Sequence, residues 1–228
     1  MKTINDHSRV PLGAVHMRAI VALALLAMSL SGCAVLSGAS EYAIYSPQPQ
    51  VAAPSDHSVV AWQLQVQEPH AGETLTAPHL LVMPSPGIYE VFPAARWRDP
   101  PPALVGTLLL QTFEGSGRIV GVDRAASGVN TDFVLSSELR DFQIELVGGE
   151  PRAKVTLHAR LLGFADNRII AARTFEATAS AAAHDAASGA QAIDAALAQL
   201  LPQVRDWTFD AGEQAWRKRG AESLVDRQ

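Results

Sequence analysis

A single cysteine, Cys33, stands among the 228 residues of this chain. A thiol can serve as a nucleophile, a metal ligand, half of a disulfide or the acceptor of a covalent group. With no second cysteine, an intramolecular disulfide is excluded, and a free thiol in an exported chain is a liability unless it is used. The context of Cys33 is specific. Leu30, Ser31 and Gly32 stand directly before it, the stretch from Ile20 to Leu30 is almost entirely apolar, and Arg18 precedes that stretch with a positive charge. Such a run has the length of a signal-peptide apolar region and is short for a transmembrane helix.

Leu30-Ser31-Gly32-Cys33 resembles a bacterial lipobox. In that motif diacylglycerol is attached to the cysteine sulfur, and cleavage leaves Cys33 as the new N-terminus. The thiol is then consumed as a thioether. The resemblance implies a lipoprotein: residues 1–32 leave as a signal peptide, and acyl chains of the palmitate kind hold the chain on a membrane, each buried CH₂ contributing about 0.8 kcal/mol. Residues 1–16 are polar, and Met17 would begin a compact signal by itself, so the start is expected at Met17. Ala34 occupies the position where an aspartate would resemble an inner-membrane retention signal. The expected location is therefore the outer membrane, facing the periplasm. An ordinary secretory signal with an incidental cysteine is the alternative.

The other residues able to do chemistry form no constellation. The five histidines after Cys33, namely His57, His70, His79, His158 and His184, have no second ligand at metal-binding spacing. Gly115, Gly117 and Gly121 depart from a dinucleotide fingerprint in spacing and follow a helix where the fingerprint would open one. They read as a turn. No P-loop and no nucleophile-elbow serine is present. Asp123, Asp132, Glu138 and Asp141 cluster in sequence and are expected to face water. His158 lies on the polar phase of a strand and is expected to be solvated. The net charge is -5, and without residues 1–32, which hold Lys2, Arg9 and Arg18 against Asp6, it is -7. An acidic chain with no basic run is a poor nucleic-acid binder. The expectation is no catalytic residue, no metal, and no cofactor beyond the lipid on Cys33.

The elements follow from periodicity. Residues 34–41 are small and polar and form a flexible leash. Tyr42 to Tyr45 is a short strand, and residues 46–57, with Pro47, Pro49 and Pro54, are loop. Val60, Trp62, Leu64 and Val66 alternate with polar residues and predict a strand with one buried face. Leu80 to Met83 and Ile88 to Phe92 are two short strands around a Pro-Ser-Pro-Gly turn. Asp99 followed by three prolines reads as a capped helix entry, Leu104, Val105, Leu108, Leu109 and Phe113 give the helical face, and Gly115 is the expected terminator. Ile119 to Val122 is a further short strand. Phe142, Ile144 and Leu146, then Val155 to Leu161, then Arg168 to Thr178 form a three-strand antiparallel meander, with a turn at residues 148–151. Ile193, Leu197, Leu200, Leu201, Val204 and Trp207 recur at helical spacing, with Pro202 inside.

Strands, helix, strands, helix in this order predict a two-layer α+β domain: a largely antiparallel sheet with two main helices packed on one face. The expected layout is a signal peptide at 1–32, an acylated cysteine and leash at 33–41, a domain at 42–208 and a loose polar tail at 209–228.

This domain resembles the ABC-type transport auxiliary lipoproteins, the periplasmic lipoprotein component of MCE-type, paraquat-inducible-like lipid transport systems. The residues that carry the resemblance are Tyr42-x-x-Tyr45-x-Pro47; Tyr89 followed by Trp97, three prolines and the helix 104–113; Asp132-x-x-Leu135-x-x-x-Leu139-x-x-Phe142; and the alanine-rich helix ending in Trp207. The charged run Arg96-Trp97-Arg98 departs from the pattern. The resemblance implies a non-enzymatic subunit that docks on the MCE protein, which works with a permease and an ATPase. A homo-oligomer would suit a ring-shaped partner. Tyr89, Trp97 and Arg98 are the candidate partner-binding residues, because aromatics and arginine are favoured interface anchors; the alternative is that Tyr89 and Trp97 cover the core. Polar edge strands could also take a partner by strand addition. Two other classes stay open: an envelope-assembly or structural outer-membrane lipoprotein, and a lone ligand-binding module with an apolar cavity between helices and sheet.

Overall fold

The sheet is organised around one long strand. In the computed structural model, which describes residues 42–124 and 131–225 with side chains to residue 222, Phe133–Val147 runs for 15 residues. In chain order the strands are β1 Ala43–Tyr45, β2 Leu64–Val66, β3 His70–Ala71, β4 His79–Ser85, β5 Ile88–Trp97, β6 Val122–Arg124, β7 Phe133–Val147, β8 Glu150–Gly163 and β9 Ile169–Ser180; the helices are α1 Pro101–Glu114 and α2 Ala186–Val225. One edge of β7 pairs antiparallel with β8 along its whole length. The other edge receives three short parallel strands in file: β2 at Phe133 to Leu135, β3 at Glu138 and Leu139, and β4 at Ile144 and Glu145. β9 continues the meander antiparallel to β8, and β4 and β5 form an antiparallel hairpin. The long ladders are thus antiparallel and the short ones parallel.

The β7–β8 connection is a two-residue turn in which Gly148 and Gly149 have φ +61° and +90°. Both positions lie in the left-handed region that suits the twist of a tight hairpin and favours glycine. Within β7 the register skips at Arg140, between the pairs Leu139–Leu157 and Asp141–Thr156. This bulge moves the inward phase from Leu135, Ser137 and Leu139 to Phe142 and Ile144, all buried.

On the inward side, α2 lays Ile193, Leu197, Leu200, Leu201 and Val204 against β8 and β9, and α1 packs Leu104, Val105, Leu109 and Phe113 toward β2, β6 and α2. All of these side chains share one core cluster, the two-layer α+β arrangement expected. An aromatic seam ties the layers together. Trp62 meets Phe133 edge-on at 5.2 Å and Phe209 at 5.9 Å, and Phe113 meets Phe209 at 5.7 Å. Arg118 lies 4.4 Å over the Phe209 ring and pairs with Asp56 at 2.8 Å.

Four local expectations are corrected. Residues 209–225 are not a loose tail, because α2 continues through them to Val225. Their inward face is built from small and aromatic residues: Phe209 is fully buried, and a Cβ on Gly212 would lie 2.5 Å from the Trp62 indole. The Trp62 N–H donates to Glu213 at 3.1 Å, so the last turns hold a buried tryptophan of the core in place. Asp99 does not cap α1: its carboxylate takes a hydrogen bond from Arg98 at 2.8 Å, and Pro100 stands at the cap position. Pro101 and Pro102 have no N–H, so the first turn has few free donors to cap. α1 ends at Gly115 as expected, but Gly115 keeps right-handed helical φ and the left-handed reversal falls at Gly117, φ +66°. The strand expected at Ile119 is shifted to Val122–Arg124, leaving Val120 exposed.

Candidate functional site

The β4–β5 hairpin reaches out from the sheet. β4 touches β7 through Val82 and Met83, and β1 covers only the far end of β5, pairing Ala43 to Tyr45 with Ala95 to Trp97. Among the described residues, the first half of β5 therefore has an open edge. That half carries Ile88, Tyr89 and Val91, which are 54, 45 and 50% exposed. Tyr42 and Ile44 of the β1 segment are exposed too. The two halves of β5 are separated by Pro93 and by Ala94, whose φ is +52°. An open edge with unpaired backbone groups and apolar side chains is a template for strand pairing.

The three candidate partner-binding residues do not share a patch. Tyr89 lies on the open edge. Trp97 is 1% exposed and sits in the core, edge-on to Phe142 at 5.4 Å and to Tyr45 at 6.5 Å. Arg98 is at the surface with Asp99, its backbone N–H bound to the Tyr45 carbonyl at 2.7 Å. Tyr89 and Arg98 are separated by about 30 Å of strand at about 3.3 Å per residue. Leu30, Ser31, Gly32 and Cys33 lie outside the described residues.

Beside Tyr89 opens a shallow cavity of about 300 Å³ lined by Leu75, Glu138, Arg140 and Gln143. Arg140 pairs with Glu138 at 3.0 Å. Behind it the outward side of β7 and β8 carries a polar network. Gln143, almost fully buried, accepts the Phe142 N–H and donates to Asp141 and Glu145 at 3.0 and 3.1 Å. Lys154 lies 3.6 and 3.7 Å from the same two carboxylates. Burial works against the charge on Asp141, but the Gln143 amide and the Lys154 ammonium outweigh it and hold this carboxyl below its ordinary value. Burial likewise opposes the charge on Lys154, and Asp141, Glu145 and Glu176 together raise its pKa.

The acidic cluster is thus only partly solvated. Asp132 accepts the Gln63 N–H at 2.9 Å, joining the strands at the start of β7. His158, on the outer side of β8, shares a hydrogen bond with Thr174 at 2.9 Å. Cross-strand register brings Lys154 to Asp141 and Glu145 and His158 to Thr174. Among the described residues no His, Cys, Asp and Glu group could hold a metal ion, and no helix is long and apolar enough to cross a membrane.

The fold is a small α+β body with an apolar open edge on β5. Residues 42–205 match the family of ABC-type transport auxiliary lipoprotein components, and the chain belongs to that family. The crystal structure of a Xanthomonas campestris protein is similar at a TM-score of 0.72 and 31% identity, over 77% of this chain and 99% of that one. A second crystal structure, of an uncharacterized protein, shares the fold at a TM-score of 0.56 and 12% identity, over 72% and 97% of the two chains. An uncharacterized protein of Bradyrhizobium diazoefficiens is 27% identical over 163 residues, which is 70% of this chain and 42% of that protein. The chain thus spans less than half of this curated relative. The family is one of auxiliary lipoprotein components of ABC-type transport.

Proposed function

We propose that the protein is a non-catalytic, lipid-anchored subunit of an MCE-type lipid transport system, held on the periplasmic side of the outer membrane by acyl chains on Cys33. The observation that carries this reading is the family match beginning at residue 42, nine residues after a lipobox-like cysteine. A leash of that length spans at most about 30 Å when extended, so the body stays within reach of its membrane and of a partner standing off it. The partner is the MCE protein, which works with its permease and ATPase. Tyr89, with Ile88 and Val91, is the part of the surface best suited to receive it: covering these three half-exposed side chains contributes roughly 1 kcal/mol each, and the open β5 edge offers backbone hydrogen bonds to an added strand.

Affinity capture of this protein from crosslinked native membranes tests the reading. Recovery of an MCE-type protein supports it. Recovery only of assembly or structural proteins of the outer membrane would replace it with the envelope-assembly reading.

A further inference from the structure

The loop of residues 46–57 folds over the junction of α1 and α2, and beneath it lies a cavity of about 290 Å³ lined by Pro49, Val51, Ala53, Leu108, Thr112 and Arg205. Arg205 belongs to α2, and only 3% of its side chain is exposed. A guanidinium has five N–H donors and cannot lose its proton. Its Nε donates to Asp206 at 2.8 Å and its Nη1 to the Ala52 carbonyl at 2.6 Å. Among the described residues nothing else accepts from it. Asp206 is half in water, at 50% exposure, and neutralises the charge from one side only. The cavity wall itself holds no carboxylate, and the Thr112 hydroxyl is already turned to the Leu108 carbonyl at 2.6 Å. Among the described residues no nitrogen of Arg205 is buried without a partner; its unused donors stay accessible beside an apolar hollow, where an anion can take them up.

We propose that this cavity binds the anionic head of a small amphiphile, a carboxylate or a phosphate, with Arg205 taking the charge and Pro49, Val51 and Leu108 covering the first carbons. The fork of the guanidinium matches either head in a bidentate pair. The volume is at the low end for small-molecule sites, which suits a head with a short chain and not a whole lipid. The site uses none of the β5 edge residues and does not depend on which partner that edge takes.

Calorimetric titration of the protein, purified from membranes in an uncharged detergent, tests this with octanoate, octyl phosphate, octanol and inorganic phosphate as probes. Octanoate or octyl phosphate binds, and octanol and inorganic phosphate bind at least about tenfold more weakly. Preference for octanoate assigns a fatty acid as the source, and preference for octyl phosphate assigns a phospholipid head. Arg205→Met weakens binding about tenfold to a hundredfold, the range of a charge-assisted hydrogen bond. Ala53→Trp, at an exposed position of the wall, blocks the cavity while leaving Arg205 and its bonds in place, and it decides the matter if Arg205→Met fails to fold. Asp206→Asn removes the competing carboxylate and tightens binding. No binding of either anionic probe, binding that survives both Arg205→Met and Ala53→Trp with an unchanged circular dichroism spectrum, or equal affinity for inorganic phosphate overturns the proposal.

Discussion

Ala94 holds φ +52° at an exposed position in the middle of β5. A Cβ in left-handed backbone costs roughly 1–2 kcal/mol, and glycine there gives back part of that gain through its own entropy. Ala94→Gly is therefore expected to stabilise the protein by a few tenths to about 1 kcal/mol, read as a higher urea midpoint. A second residue has a pH signature. Burial pushes the carboxyl of Asp194 above its ordinary range, with the Gln48 N–H pulling the other way from 2.8 Å. A raised carboxyl contributes stability that is present below about pH 4 and lost as the pH climbs through its folded value. Asp194→Asn keeps an acceptor for Gln48 and carries no charge. It is expected to raise the thermal midpoint at about pH 7, with the gain vanishing near pH 3. A gain of the same size at both pH values would show that burial of charge is not the cause.

At the scale of elements, the last turns of α2 carry the clearest test. A side chain at Gly212 would meet the ring of Trp62, which is held by Phe133, Phe209 and Glu213. Gly212→Val is expected to cost about 1–3 kcal/mol by overpacking, measured by denaturant unfolding. Were residues 209–225 a loose tail, the same change would be neutral. These turns are hard to read from the sequence because their inward stripe is Phe209, Gly212 and Ala215, with charges crowding the other positions; small residues hide a helical face from hydrophobic periodicity. The first half of β7 was hidden for a different reason. Its alternation changes phase at the Arg140 bulge, so a search for an unbroken period of two finds only the part from Phe142 onward. The three-strand meander, both helical cores and the two-layer plan were legible because Leu, Ile and Val marked their phases plainly. The site was less so. Tyr89 and Trp97 look alike in sequence as aromatic residues of one strand, and only the packing of Trp97 against Phe142 and Tyr45 buries one while the other stays exposed. Arg205 reads as a charge on a helix face until the loop 46–57 covers it.

For the whole molecule, the proposal is a lipid anchor on Cys33 followed by a leash and the sheet-and-helix body. Cys33→Ser is expected to move the protein from the membrane fraction to the soluble one and to abolish incorporation of labelled palmitate. Retention of the label would place the acyl group on another residue. The docking claim is tested most directly by replacing Tyr89 with a photo-crosslinking phenylalanine analogue in the native host, illuminating intact cells and identifying the adduct by mass spectrometry. The expected result is an adduct with an MCE-type protein, absent when the crosslinker is placed instead at the exposed Thr174 of β9. An adduct with an unrelated envelope protein, or the same MCE adduct from both positions, would contradict it.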